Sequence, residues 1–88
     1  IGKPAREPFQ TVLARLGAVP AASVFVGDDP WCDIAGARHV GLRTILLCRR
    51  ENSGQLPPAC EPDLFVRGMD EVIAAVERLW RAEMSRAV

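Results

Sequence analysis

Residues 24–37 read Val24-Phe25-Val26-Gly27-Asp28-Asp29-Pro30-Trp31-Cys32-Asp33-Ile34-Ala35-Gly36-Ala37, and the fold turns on this stretch. A continuous apolar run, the type found in parallel strands covered on both faces, meets three carboxylates within six residues. Asp29 before Pro30 is a helix start: an acceptor side chain at the N-cap, then proline at the first helical position. Gly41 is the matching C-terminal stop. The stretch therefore predicts a strand over residues 23–26 and a helix over about residues 30–40.

Upstream, Phe9, Val12, Leu13 and Leu16 recur at i, i+3, i+4 and i+7, the stripe of an amphipathic helix. Pro8 is tolerable in its first turn and Gly17 closes it, so the spacing predicts a helix over about residues 6–17. Downstream, LRTILLC at 42–48 is a second buried strand. Residues 49–62, RRENSGQLPPACEP, are polar and proline-rich and read as an exposed loop. Leu64-Phe65-Val66 is a short third strand, and Met69, Val72, Ile73, Val76, Leu79 and Trp80 form the stripe of a closing helix. Strands alternating with helices imply an α/β fold with a parallel sheet, three-layered and Rossmann-like. Three strands are few for an open doubly wound sheet. The chain thus reads as part of one, with further strands expected upstream of Ile1.

Composition bounds the partners. A chain of 88 residues is one small domain that buries only about 60–65% of its unfolded surface. Eleven basic residues balance eleven acidic ones, which leaves no global field for nucleic acid or an anionic membrane. No apolar run approaches the roughly 20 residues of a membrane span. Cys32, Cys48 and Cys60 are widely spaced and suggest neither a disulfide framework nor a zinc site; small thiols in a reducing cytoplasm are expected. The chain opens at Ile1-Gly2-Lys3, without methionine, as though cut or processed. Ten of its eleven basic residues are arginine, so the single lysine, Lys3, is conspicuous.

The acidic cluster admits two readings. Asp29 as an N-cap and Asp33 in the first helical turn need no chemistry, together contributing about 1–2 kcal/mol to the helix. Asp28 lies outside that account, at the carboxyl end of a parallel strand, where open α/β sheets bind ligands. If Asp28 and Asp33 converged with charges ~5 Å apart, their repulsion would be ~3 kcal/mol at an effective dielectric of 20. A hard cation such as Mg²⁺ would offset it, because Mg²⁺ takes one or two carboxylates and leaves its other positions to water and phosphate. Capping alone and metal binding both remain open on spacing.

Taken together, Gly2-Lys3-Pro4, the helix ending in Leu16-Gly17, the run Val24 to Asp28, Asp33-Ile34, Gly36-Ala37 and Gly41 resemble the C-terminal half of haloacid dehalogenase-like hydrolases. Pro62-Asp63-Leu64-Phe65-Val66 and Met69-Asp70-Glu71-Val72 resemble that family's last strand and following helix, so the likeness covers nearly the whole chain. Ala5 departs from the acidic residue that often follows the lysine-proline pair. The resemblance implies a Mg²⁺-dependent phosphatase core acting on a small phosphorylated metabolite. Asp28 would ligate Mg²⁺, Asp33 would bind the metal or orient its shell, and Lys3 would neutralise the nucleophilic carboxylate and the transferring phosphoryl group. Fixed positive charge of that kind is what phosphoryl transfer requires.

The resemblance also implies two earlier motifs, an Asp-x-Asp carrying the nucleophile and general acid/base and a serine or threonine that holds the phosphate; no Asp-x-Asp occurs among Asp28, Asp29, Asp33, Asp63 and Asp70. Without a nucleophile no aspartyl-phosphate forms, so the chain alone is expected to be inactive, with the nucleophile upstream. Two other classes stand beside this one. A non-catalytic half-domain would bury its open sheet edge against a missing N-terminal part or a second copy. A receiver-type signalling module would share the acidic pocket, but it needs a phospho-accepting aspartate on a later strand, where Leu46-Leu47-Cys48 runs into Arg49-Arg50. His39 reads as a dipole-compatible residue near a helix end, and Trp31 as a first-turn side chain packed on its neighbours.

Overall fold

The computed structural model describes residues 5–48 and 56–86. Three strands, β1 (Val24–Gly27), β2 (Arg43–Leu47) and β3 (Leu64–Val66), form one sheet in the order β1-β2-β3. Both pairings are parallel, with Val26 opposite Ile45 and Ile45 opposite Leu64. Parallel neighbours need crossovers, and helices supply the cover: α1 (Glu7–Leu16) precedes β1, α2 (Ala35–His39) lies between β1 and β2, and α3 (Val72–Arg86) follows β3. The α/β architecture expected from the strand and helix spacing is the one observed.

Side chains alternate across the sheet and divide the core in two. On one face Ile45 and Val66 pack with Ala75 and Leu79 of α3, joined by Val24, Val26, Leu64 and Val76. On the other, the alternation turns Thr44 and Leu46 toward the side of α2, whose Ala35 and Ala37 are also buried. β2, between its two neighbours, is buried through its three central residues, whereas every residue of β1 is only partly covered.

α1 reaches the sheet through aromatic contacts. The rings of Phe9 and Phe25 meet edge to face with centroids 4.9 Å apart, an arrangement favoured by the ring quadrupoles. A Cβ at Gly36 would come within 2.5 Å of the Phe9 ring and 3.1 Å of the Ala5 carbonyl oxygen. Glycine there lets α1 approach α2. At its other end α1 stops at Gly17, whose φ of 64° is left-handed and whose N–H donates to the Ala14 carbonyl.

Several local expectations need correction. The apolar stripe of α1 is only half used, for Val12 and Leu16 are 56% and 72% exposed. In the closing segment Met69 belongs to a short 3₁₀ turn, Met69–Glu71, and Met69, Ile73 and Trp80 are exposed, while Ala75 is buried. Helical period alone marks an apolar face without saying how much of it another layer reaches. The loop expected at 49–62 falls partly outside the described residues; within it, Pro58–Cys60 forms a 3₁₀ turn and Cys60 is fully buried, against the exposed reading. Trp31 is 60% exposed rather than packed.

The far ends of β2 and β3 are pinned together. The Thr44 N–H donates to Asp63 Oδ2 at 2.7 Å, and the Asp63 N–H donates to Thr44 Oγ1 at 3.1 Å. Thr44 is completely buried, so this exchange satisfies polar atoms that water cannot reach. It lies at the amino ends of the strands, away from the acidic loop, and fixes the sheet on which that loop stands.

Candidate active site

The acidic loop leaves the carboxyl end of β1 and enters a wide turn. Pro30–Ile34 is one turn of π-helix, in which the Asp33 and Ile34 N–H groups both donate to the Asp29 carbonyl, at 2.8 and 3.2 Å. The helix predicted from residue 30 thus begins there but with wider winding, and regular α-helix starts only at Ala35. Asp29 is the cap that Asp-Pro predicts. Its Oδ1 accepts from the Trp31 N–H at 2.9 Å and the Cys32 N–H at 3.0 Å, and Pro30 between has no N–H to satisfy.

Asp33 returns to the strand end. Its Oδ2 accepts from the backbone N–H groups of Asp28 at 3.1 Å and Asp29 at 3.2 Å. The carboxylate therefore bridges back over four or five residues and ties the turn to β1. Gly27 makes room for it: a Cβ there would fall 2.5 Å from both Cβ and Oδ2 of Asp33. Asp28 is exposed, Asp33 half-buried, and the shared hydrogen bond brings the two residues together at the sheet end where ligands bind. Lys3, the third residue singled out, lies outside the described residues.

The electrostatics follow from these contacts. The amide hydrogen bond from Cys32 leads in holding the Asp29 carboxyl below its usual range; the Trp31 amide acts in the same direction. The same carboxylate, accepting from the Cys32 thiol, pushes that thiol up. Cys60 is also pushed up, mainly by burial. Cys32, although exposed, is thus kept in its protonated, less nucleophilic form.

Among the described residues no three His, Cys, Asp or Glu side chains are grouped to enclose a metal ion. Two carboxylates at one strand end do fit Mg²⁺, which uses few protein ligands, all oxygen, and keeps water in its remaining positions. When bound there, it would supply positive charge against the oxygens of a phosphoryl group.

The glycines at 27 and 36 were visible in the sequence, but not their purpose. A glycine between an apolar strand and an aspartate signals a close approach only once the group that approaches is known. The Thr44 and Asp63 exchange, which joins residues nineteen apart, has no sequence pattern to announce it.

The chain is similar to known proteins over most of its length. A family model described as HAD-hydrolase-like matches residues 1–72. The phosphoserine phosphatase of Thermus thermophilus is 38% identical over 77 residues, covering 85% of this chain and 29% of that enzyme. Pyrophosphatases and phosphoglycolate phosphatases are among the other similar proteins. A 2-haloacid dehalogenase structure from Pseudomonas syringae pv. Tomato superimposes with a TM-score of 0.78 at 32% identity, over 89% of this chain and 33% of that one. The putative HAD-hydrolase YfnB from Bacillus subtilis, whose structure is described as bound to magnesium, gives a TM-score of 0.64 at 25% identity, over 86% and 33% of the two chains. The chain thus spans about a third of the length of these relatives.

Proposed function

Because the chain belongs to the HAD-like hydrolases, we propose that it is part of a Mg²⁺-dependent phosphatase that acts on a small phosphorylated metabolite through an aspartyl-phosphate. The observation that supports this reading is the return of the Asp33 carboxylate to the Asp28 backbone N–H at the carboxyl end of β1. Asp28 offers an exposed carboxylate to the cation. Asp33 holds the loop that presents it. Lys3 contributes compact positive charge toward the nucleophile and the phosphoryl group. The nucleophilic aspartate and the serine or threonine that grips the phosphate come from outside these 88 residues, which accords with the absence of an Asp-x-Asp and with relatives about three times as long.

The test has two arms. The 88-residue chain is expected to release no phosphate from p-nitrophenyl phosphate with Mg²⁺, whereas the protein as its gene encodes it is expected to do so. Asp28→Asn should lower that activity by two orders of magnitude or more, as loss of a group acting on transition-state charge does. Turnover by the 88-residue chain that Asp28→Asn abolishes would contradict the half-site, and full activity in the longer Asp28→Asn protein would contradict the metal role. A cytoplasmic location belongs to the same reading and is checked by fractionation.

A second reading rests on the exposed apolar residues of α1, Val12 and Leu16, and on Trp80 of α3. It makes the chain a half-domain that pairs with another polypeptide or a second copy. A monomer by size exclusion at high concentration would count against it.

A further inference from the structure

The turn carrying Asp33 is wider than an α-helical turn, and the extra width determines which side chain reaches back to the strand. At an ordinary helix start the third helical residue returns a side chain to the N-cap N–H. Here the third residue is Cys32, which is exposed, and the fourth, Asp33, makes the return contact with the N–H groups of Asp28 and Asp29. An isolated π-turn is an uncommon arrangement that needs support. Asp29 provides it from both ends of the residue: its carbonyl accepts from the Asp33 and Ile34 N–H groups and its carboxylate from those of Trp31 and Cys32. Four consecutive amides after Pro30 are thereby held by one residue.

We infer that Asp29 is a positioning residue: its carboxylate holds the widened turn that lays Asp33 against the Asp28 backbone, and so sets the spacing of the two side chains facing the cation. This rests on the proposed metal role of Asp28 and Asp33. In this account Asp29 acts through the turn, its Oδ1 accepting the Trp31 and Cys32 amides. What matters at position 29 is a side-chain acceptor of the right reach, which asparagine also has and alanine lacks.

The experiment uses the protein as its gene encodes it, with Mn²⁺ as the probe, and reads affinity from the free-ion electron paramagnetic resonance signal. Asp29→Asn should bind Mn²⁺ within about threefold of wild type, keeping the acceptor. Asp29→Ala should bind roughly 10- to 100-fold more weakly, the range seen when an outer partner of a metal ligand is removed. Affinities are taken at a temperature where circular dichroism shows each variant fully folded; if Asp29→Ala does not fold, Asp29→Gly replaces it, glycine being tolerated at N-caps. Wild-type affinity in the folded Ala or Gly variant would reduce Asp29 to a structural cap and overturn the inference while leaving the metal reading intact. An Asn variant as weak as the Ala variant would overturn it as well, by assigning the effect to charge. Mn²⁺ that fails to bind wild type, or that binds Asp28→Asn equally well, would remove the metal reading itself and this inference with it.

Discussion

Gly27 shows how one missing side chain makes the acidic loop possible. The Asp33 side chain occupies the space where a Cβ at position 27 would lie, 2.5 Å from its Cβ and its Oδ2. Gly27→Ala must therefore displace Asp33 or the backbone, at a cost of about 1–3 kcal/mol for an overpacked site. The expected result is a lower urea midpoint together with weakened Mn²⁺ binding; an unchanged midpoint would contradict the contact. Asp29 carries a pH signature. Its carboxyl is held below the usual range, chiefly by the Cys32 amide, so ionised Asp29 favours the folded state. That contribution is complete above its unfolded value of about 3.9 and is lost as pH falls through the lower folded value. The stability difference between wild type and Asp29→Asn should be widest above about pH 4 and should narrow below it, measured as denaturation midpoints from pH 7 to 2.5. A difference that widened on acidification would mean the shift has the opposite sign.

Among the elements, the α1 to α2 contact is the most sensitive to a small change. α2 has only five residues, too few to be stable by itself, and its cover on this side is the Phe9 end of α1. Gly36→Ala places a methyl against the Phe9 ring and should cost about 1–3 kcal/mol. Because the Phe9 ring also meets Phe25 of β1, the displacement should be read at the strand as well. The check is hydrogen exchange: faster exchange in α1 and β1 with α3 unaffected is expected, whereas uniform acceleration would show that the contact is not local.

For the whole molecule, the notable property is apolar surface left uncovered. The Cα radius of gyration is 13.0 Å, against about 12 Å for a compact chain of this length. Val12 and Leu16 line a groove on α1 together with Phe9, Leu13 and Val24, and Trp80 borders another with Val76 and Leu79. Apolar surface of this kind binds hydrophobic dyes and promotes association. The 88-residue chain should enhance the fluorescence of anilinonaphthalene sulfonate, and Leu16→Lys should lower that signal without loss of helical circular dichroism. A signal that Leu16→Lys leaves unchanged would place the dye elsewhere.

The sequence by itself determined the order and class of the elements and the kinship. The first strand, expected at residues 23–26 and found one residue later, the Asp29 cap, the Gly17 stop and the acidic pair are local features, written in the period of apolar residues and in the chemistry of helix ends. The tertiary structure alone decided how wide the turn after Pro30 is, which carboxylate returns to the strand, and what a side chain at position 27 or 36 would displace. It also decided that Cys60 is buried and that half of each amphipathic stripe is exposed. The Gly36 contact with Phe9 and the burial of Cys60 depend on groups brought together from separate parts of the chain. A pattern of 3.6 or 2 residues identifies which face is apolar, while only the packed layers determine what that face meets.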